Sequence, residues 1–175
     1  MTDIVSKERR SQLMAGIRSK NTRPEMVLRK GLHALGFRYR VHAPDLPGRP
    51  DIVLPKYQAV INVHGCFWHG HNCRLFKVPS TNTDFWIAKI QSNIDRDALN
   101  NALLKDLGWR TLTVWECTIR QLQAEKLVSK IADWLTSEHP SGEIRGNVDE
   151  LVVVSHTGNI PASGRHQAVR KTSSE

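Results

Sequence analysis

The sequence predicts an α/β protein in which a mixed β-sheet is flanked by helices. An apolar run at residues 59–63 has the length and the β-branched content of a buried strand, and residues 109–115 form a further predicted strand. A long segment with helical periodicity separates them, and the order strand, helix, strand permits a parallel crossover. We therefore expect one sheet with parallel and antiparallel pairs and with helices on both faces.

The chain begins with a basic arm. Within this arm, at residues 1–20, residues 6–18 could form a short helix, but their apolar stripe is too thin to hold it firmly, so we expect an arm that orders on its partner. Residues 22–25 match a capping box and open a helix that ends at Gly36. Capping alone would justify Glu25 in this motif.

Three strands are predicted next. Residues 37–41 alternate apolar and basic side chains, residues 51–54 follow a proline-rich connection, and residues 59–63 come after a brief turn. Because the three strands are close in sequence, an antiparallel meander is the economical pairing.

A long helix then runs from a good N-cap cluster at residues 82–84 to Leu107. We expect its apolar stripe to face inward, and this stripe consists of Ile87, Ile90, Ile94 and Ala98. The opposite face carries side chains that suit phosphates and bases, namely Trp86, Lys89, Asn93, Arg96 and Asn100. After the strand at 109–115, a last amphipathic helix presents Leu127, Ile131, Trp134 and Leu135.

Residues 139–175 are rich in Gly, Ser and Pro, with one apolar island at residues 151–154. Such a segment has too little apolar surface to offset the entropy of ordering. We therefore expect a mostly disordered tail whose removal leaves stability and activity unchanged. The predicted organisation is an arm at 1–20, a core at 21–138 and a tail at 139–175.

The charge distribution indicates an anionic polymer as the partner. The chain of 175 residues has a net charge of +8, and its first 42 residues hold ten Lys or Arg against three acidic residues. Neutralising phosphates releases counterions and raises affinity, although a solvated basic surface would have the same composition. Because the chain has neither an apolar leader nor a long apolar run, we expect a soluble, intracellular protein without a membrane partner.

Residues 58–73, QAVINVHGCFWHGHNC, hold the densest collection of candidate ligands. Buried imidazoles and thiolates must be paired or bound to metal, so this segment indicates a site. Three ligands from it and one after the next strand form a closed tetrahedral set for one structural zinc ion: Cys66, His71, Cys73 and Cys117. His69 is a rival to His71 as the fourth ligand.

Asp51 stands at the start of a strand and His64 at the end of the next one. This arrangement suits magnesium-dependent phosphodiester hydrolysis. The usual acidic partner, two residues before a lysine, is missing, because Asn62 and Val63 precede His64. The spacing by itself leaves a nuclease and a non-catalytic site equally open.

Five stretches, taken together and in fixed order, resemble the very-short-patch repair (Vsr) DNA mismatch endonucleases. They are LPGRPDIV, HGCFWHGHNC, LFKVPSTNTDFW, KIQSNIDRD and LGWRTLTVWEC, and the resemblance covers about residues 9–135. It implies a restriction-endonuclease-like fold with a DNA-contacting arm. It also implies an enzyme that nicks one strand 5' of the thymine in a T:G mismatch left by deamination of 5-methylcytosine.

The resemblance implies the roles of five residues in catalysis. Asp51 binds the catalytic Mg²⁺, two ions in number, together with the backbone carbonyl of Val63, where the family can have threonine. His64 and His69 act on the waters of the site, and Glu25 orients this water network. These roles suit the chemistry, because carboxylates bind hard cations and a neutral imidazole accepts a proton near pH 7.

The resemblance also implies contacts with DNA. An aromatic wedge formed by Phe67, Trp68 and Trp86 enters the base stack beside the mismatch. Met14 approaches from the minor groove, and Lys89 and Asn93 lie near the mismatched bases. Packing is the alternative explanation for the two tryptophans, and a weak helical stripe is the alternative for Met14.

The sequence thus predicts a Mg²⁺-dependent, zinc-stabilised mismatch endonuclease that acts on double-stranded DNA. Two other functions compete with it: a zinc-stabilised DNA-binding module without catalysis, and a restriction-type nuclease that cuts both strands. We expect a monomer in the bacterial cytoplasm, associated with the nucleoid through DNA, with mismatch-repair proteins as candidate partners.

Overall fold

The computed structural model describes residues 20–146 and 151–152, and the predicted arm with Met14 lies outside these residues except for Lys20. The described helices are α1 (Arg23–Ala34), α2 (Thr83–Asp106), α3 (Glu116–Gln121) and α4 (Ala124–Thr136). The described strands are β1 (Ile52–Leu54), β2 (Ala59–His64), β3 (Arg110–Trp115), β4 (Ser141–Ile144) and β5 (Leu151–Val152). A 3₁₀ turn, Pro55–Tyr57, joins β1 to β2.

The sheet has the order β1-β2-β3-β4-β5. β1 pairs with β2 and β4 pairs with β5 in antiparallel fashion, whereas β2, β3 and β4 are parallel to one another. The chain passes from β2 to β3 through α2, so the predicted mixed sheet with a parallel crossover is confirmed.

The strand predicted at residues 37–41 is wrong. Of these residues only Arg40 pairs, through a single antiparallel bridge to Val53. His42 then adopts a left-handed backbone conformation, with φ of 48°, and this conformation turns the chain away from β1 before a ladder can extend.

Helices cover both faces of the sheet, as predicted. On one face α1 and α4 pack over the main core, and Gly31 permits their close approach because a Cβ there would lie 2.4 Å from Val128 Cγ2. On the other face Val53 and Val60 pack against Leu104 of α2. No helix in the described part of the chain is long and apolar enough to cross a membrane.

The inward stripe predicted for α2 is wrong at most positions. Ile90 is buried, but Ile87 is 53% exposed and Ile94 is 37% exposed. The buried and half-buried positions of α2 recur at helical spacing and include polar side chains: Trp86, Ile90, Asn93, Asp97, Asn100 and Leu104. The helix is therefore rotated so that the stripe with Asn93 and Asp97, which also includes Ile90 and Leu104, faces the sheet.

The first residues of the predicted tail belong to the sheet. β4 pairs in parallel with β3, and Ile144 is 2% exposed. Gly142 lies beneath Trp134, whose indole Nε1 would be 2.8 Å from an added Cβ. The prediction of disorder is wrong for Ser141–Ile144, because a neighbouring strand and helix supply the contacts that this short segment lacks in itself. Residues 153–175 lie outside the described residues.

Candidate active site

The candidate active site lies on the face of the sheet that α2 covers. Because side chains alternate along a strand, the register places His64 of β2 and Trp115 of β3 side by side on this face. Asp51 lies next to them, immediately before β1. A cleft of about 820 Å³ opens between these residues and α2, and its lining includes Glu25, Asp51, His64, Trp68, His69 and Asp97.

Asp51 is held at the edge of the sheet with one carboxylate oxygen engaged. Its Oδ2 accepts the Val63 N–H at 2.7 Å, while Oδ1 has His42 Nδ1 3.7 Å away. Burial raises the pKa of Asp51 to about 6, the nearby Glu25 carboxylate acts in the same direction, and the Val63 N–H opposes both. The buried carboxylate is therefore costly to ionise until a cation neutralises it.

Glu25 both caps α1 and belongs to this cluster. The capping box is present, with the N–H groups of Asn21 and Thr22 donating to its carboxylate at 3.0 and 3.3 Å. The Arg29 guanidinium donates to its Oε2 at 2.9 Å, and the residue is only 3% exposed. Since every one of these donors is fixed by α1 or its cap, the capping motif itself delivers the carboxylate to the cleft.

Sequence analysis missed two residues that complete the cluster, Arg29 and His42. Arg29 Nη2 lies 2.8 Å from His42 Nε2, and Oε2 of Glu25 lies 3.5 Å from the same ring nitrogen. Burial, with the positive charge of Arg29, lowers the pKa of His42. The i, i+4 spacing of Glu25 and Arg29 was an available signal, but the approach of His42 depends on the turn that follows Arg40.

Two histidines form a stacked pair beside this cluster. The rings of His64 and His69 are 3.9 Å apart between centroids and nearly parallel, with an interplanar angle of 6°. Burial, followed by the neighbouring His69 ring, lowers the pKa of His64 to about 3, so His64 is neutral and able to accept a proton throughout the neutral range. His69 Nδ1 makes a short contact with Asp97 Oδ2 on α2.

Asp97 is the other site residue that sequence analysis missed. It lies within the motif KIQSNIDRD, four residues after Asn93, on the same stripe of α2. A carboxylate beside one imidazole nitrogen fixes the ring orientation and favours a proton on that nitrogen. The other ring nitrogen then points away from the carboxylate. His69 and Asp97 therefore form an oriented pair of the kind that moves protons.

The four predicted zinc ligands converge behind the histidine pair. One ligand atom from each of Cys66, His71, Cys73 and Cys117 lies within 4.8 Å of the others. Cys117 Sγ is 3.5 Å from His71 Nδ1, close to the roughly 3.6 Å that a tetrahedral zinc ion with bonds of about 2.0–2.3 Å would impose. Because His69 is paired with Asp97, the structure favours His71 as the imidazole of this set.

The predicted wedge residues form an aromatic cluster that borders the cleft through Trp68. Phe67, Trp68 and Trp86 are in mutual edge contact, with ring centroids 5.1 to 6.1 Å apart. All three side chains are partly exposed. Asn93 is 5% exposed and donates its amide to the Trp68 carbonyl at 2.9 Å, so it supports the wedge, while Lys89 is exposed.

The sequence of the chain is similar to those of known DNA endonucleases. Residues 2–75 match the family model described as DNA mismatch endonuclease Vsr. The chain is 51% identical over 124 residues to the type II nicking enzyme V.XorIIP of Xanthomonas oryzae pv. oryzae, an alignment that covers 71% of this chain and 91% of that protein. It is 44% identical over 147 residues to the DNA mismatch endonuclease Vsr of Escherichia coli strain K12, which covers 82% and 94% respectively.

The chain belongs to the Vsr family. Membership confirms the resemblance seen in the sequence and shows that the protein is an enzyme, an endonuclease. The Vsr signature segments coincide with the site described above, since they contain Asp51, both stacked histidines and Asp97.

Two groups of residues in the described structure could each hold a metal ion. One ligand atom from each of Glu25, His42 and Asp51 lies within 4.8 Å of the others, and carboxylate oxygens are the donors that a hard divalent cation prefers. The cysteine and histidine set instead offers soft ligands without an open position, as structural zinc does. The two donor sets therefore suit different ions, a hard divalent cation in the first set and zinc in the second.

Proposed function

We propose that this Vsr family endonuclease recognises a T:G mismatch in double-stranded DNA and nicks one strand 5' of the thymine, leaving a 5'-phosphate and a 3'-hydroxyl. The observation that carries the proposal is the meeting of three groups at one cleft: the Asp51 carboxylate, the stacked pair of His64 and His69, and a partly exposed aromatic cluster that reaches the cleft through Trp68. A binding module would need the aromatics but not the other two groups.

Asp51 is the proposed ligand of catalytic Mg²⁺, two ions in number, with the Val63 carbonyl as a further donor. Its Oδ1 is available for a cation because Oδ2 is occupied by the Val63 N–H. Mg²⁺, when bound, would neutralise the charge that develops on the phosphate. Glu25, whose oxygens already accept several hydrogen bonds, is better suited to orienting water than to direct ligation.

The histidine pair is proposed to handle the protons of hydrolysis. His69, oriented by Asp97, takes a proton from the water that attacks phosphorus. His64 is neutral because its pKa is low, and it accepts hydrogen bonds from water beside Asp51. The leaving 3'-oxygen acquires its proton from the water of this network.

Phe67, Trp68 and Trp86 are the proposed wedge. Apolar side chains unstack a mismatched step at lower cost than a paired one, so insertion itself discriminates in favour of the mismatch. Lys89 and Asn93 are assigned to contacts near the mismatched bases, and Met14 to an approach from the minor groove. Asn93 also anchors the wedge loop through the Trp68 carbonyl.

The proposed zinc ion has a structural role. It would join the loop that carries the wedge to the start of α3, where Cys117 lies. The basic composition of residues 1–20 assigns the N-terminal arm to DNA phosphates. We further propose a cytoplasmic monomer, with mismatch-repair proteins as its protein partners.

The test is a strand-resolved nicking assay. The protein is incubated with Mg²⁺ and end-labelled duplexes that are matched or carry one T:G pair, in several flanking contexts, and the cuts are mapped on each strand. A single nick 5' of the mismatched thymine is expected. Cleavage of both strands of matched DNA would favour the restriction-type alternative, and mismatch binding without cleavage would favour the non-catalytic module.

A further inference from the structure

Trp115, at the end of β3, lies between the zinc ligand set and the stacked histidines. Its ring stacks on His71 with a centroid distance of 4.2 Å and an interplanar angle of 13°. The same ring meets His64 and His69 edge-on at 5.3 and 6.4 Å. Trp115 is 8% exposed and also packs against Cys66 and Cys117, so one buried ring contacts both the zinc ligand set and the histidine pair.

The orientation of this indole is set by a residue of β4. Thr113 of β3 is the neighbour of Glu143 in the parallel ladder, so Glu143 points to the same face of the sheet as Trp115. The indole N–H of Trp115 donates to Glu143 Oε1 in a short hydrogen bond. The Glu143 side chain is 19% exposed, and its other oxygen lies 3.8 Å from Arg145 Nε.

A charged acceptor in a partly buried position makes a stronger hydrogen bond than a neutral one and fixes the donor more tightly. The N–H is the only polar group of an indole, so a hydrogen bond from it restricts rotation of the whole ring. Rotation of the ring would break the hydrogen bond with Glu143 and the stack on His71 together.

We propose that Glu143 is a positioning residue for the nicking reaction, acting through Trp115 on the orientation of His64 and His69. The strand β4, which carries no ligand of either metal set in the described structure, thereby contributes to catalysis. This inference rests on the proposed role of the histidine pair. Arg145, at a distance of 3.8 Å, contributes little to holding the carboxylate.

The test compares Glu143→Ala and Glu143→Gln with the parent, each as the full chain with zinc bound. Glu138→Ala is the matched control, since Glu138 is exposed just before β4. Two quantities are measured: the single-turnover nicking rate on T:G duplex at saturating protein, and the ¹H–¹⁵N signal of the Trp115 indole, which is assigned by its loss in Trp115→Phe.

We expect Glu143→Ala to shift the indole signal and to lower the rate by about 10- to 100-fold, the loss expected when reacting groups move by up to about 1 Å. DNA affinity and zinc content should stay at the parent value. Glu143→Gln keeps an acceptor oxygen and should recover most of the rate, and Glu138→Ala should match the parent.

A parental rate in Glu143→Ala, with the indole signal shifted, would overturn the proposal. If Glu143→Ala loses zinc, Trp115→Phe decides instead, because phenylalanine keeps a ring but has no N–H donor. A parental rate in Trp115→Phe would also overturn the proposal, whereas a rate reduced with zinc retained supports it. If the parent itself does not nick T:G duplex, the proposed function is refuted. The indole signal would still show whether Glu143 holds Trp115 in place.

Discussion

Replacing Asp51 with Asn should stabilise the Mg²⁺-free protein while abolishing nicking. Asn preserves the shape of the side chain and can still accept the Val63 N–H through its amide oxygen. It removes the buried charge, and burial of that charge raises the pKa of Asp51 from 3.8 to about 6. A difference of about two pKa units corresponds to about 3 kcal/mol, which is an upper limit since the side chain is still 22% exposed.

The pH dependence of this effect has a defined sign. In the parent, the unfolded state releases the Asp51 proton above pH 3.8 but the folded state holds it until about pH 6, so folding stability falls between these values. Asn has no proton to release. The stability gap between variant and parent should therefore be about half as large at pH 5 as at pH 8, and constant above pH 7.

The measurement is urea unfolding of both proteins at several pH values in Mg²⁺-free buffer. No chelator is added, because it would also remove the proposed zinc ion. Added Mg²⁺ should stabilise the parent and not the variant, since ligand binding to the native state alone raises the free energy of unfolding. Asp133→Asn, an exposed carboxylate on α4, is the control and should show neither effect. An Asp51→Asn variant less stable than the parent at pH 8 would refute the reasoning.

Four further outcomes are expected. Cys117→Ser should lose zinc and cooperative unfolding, and a variant with one bound zinc and an unchanged melting temperature would show the ligand set to be wrong. Replacing Phe67 and Trp68 with Ala should lower T:G affinity by tens of fold, at about 1 to 3 kcal/mol per stacked base, while matched-DNA affinity and its salt slope persist; an equal loss for both duplexes would make these aromatics packing residues. Asp97→Asn should lower the single-turnover rate by about 100-fold or more with DNA affinity unchanged, and a parental rate would exclude it from the proton pathway. Truncation after Glu138 should lower the free energy of unfolding by about 3 kcal/mol or more because it deletes β4, and an unchanged urea midpoint would show that this strand is dispensable.

Local signals in the sequence were sufficient for the elements that depend on near neighbours. The capping box at residues 22–25, the apolar run of β2 and the amphipathic α4 each carry their own pattern, and each formed as expected. The proposed zinc ligands were also identifiable, because three of them lie within eight residues and combine thiols with an imidazole.

The rotation of α2 depended on tertiary structure. Its sequence offers an apolar stripe with Ile87 and Ile94 and a polar stripe with Asn93 and Asp97, and either one could face the sheet. The stripe with Asn93 and Asp97 faces the sheet, because the Trp68 carbonyl and His69 supply hydrogen-bond partners that offset the cost of burying these polar groups. Periodicity shows how side chains are spaced along the helix, but it does not show which hydrogen-bond partners the rest of the fold supplies.

The sequence by itself determined the fold class, the family and the ligands that lie close together in the chain. Only the tertiary structure decided the residues that act across distance: His42 and Arg29 beside Asp51, Asp97 on His69, and Glu143 on Trp115. The physical reason is the same in each case. A hydrogen bond between residues far apart in sequence forms only after the sheet has set their register, and a short strand such as β4 is stable only because β3 and Trp134 are already in place to bury it.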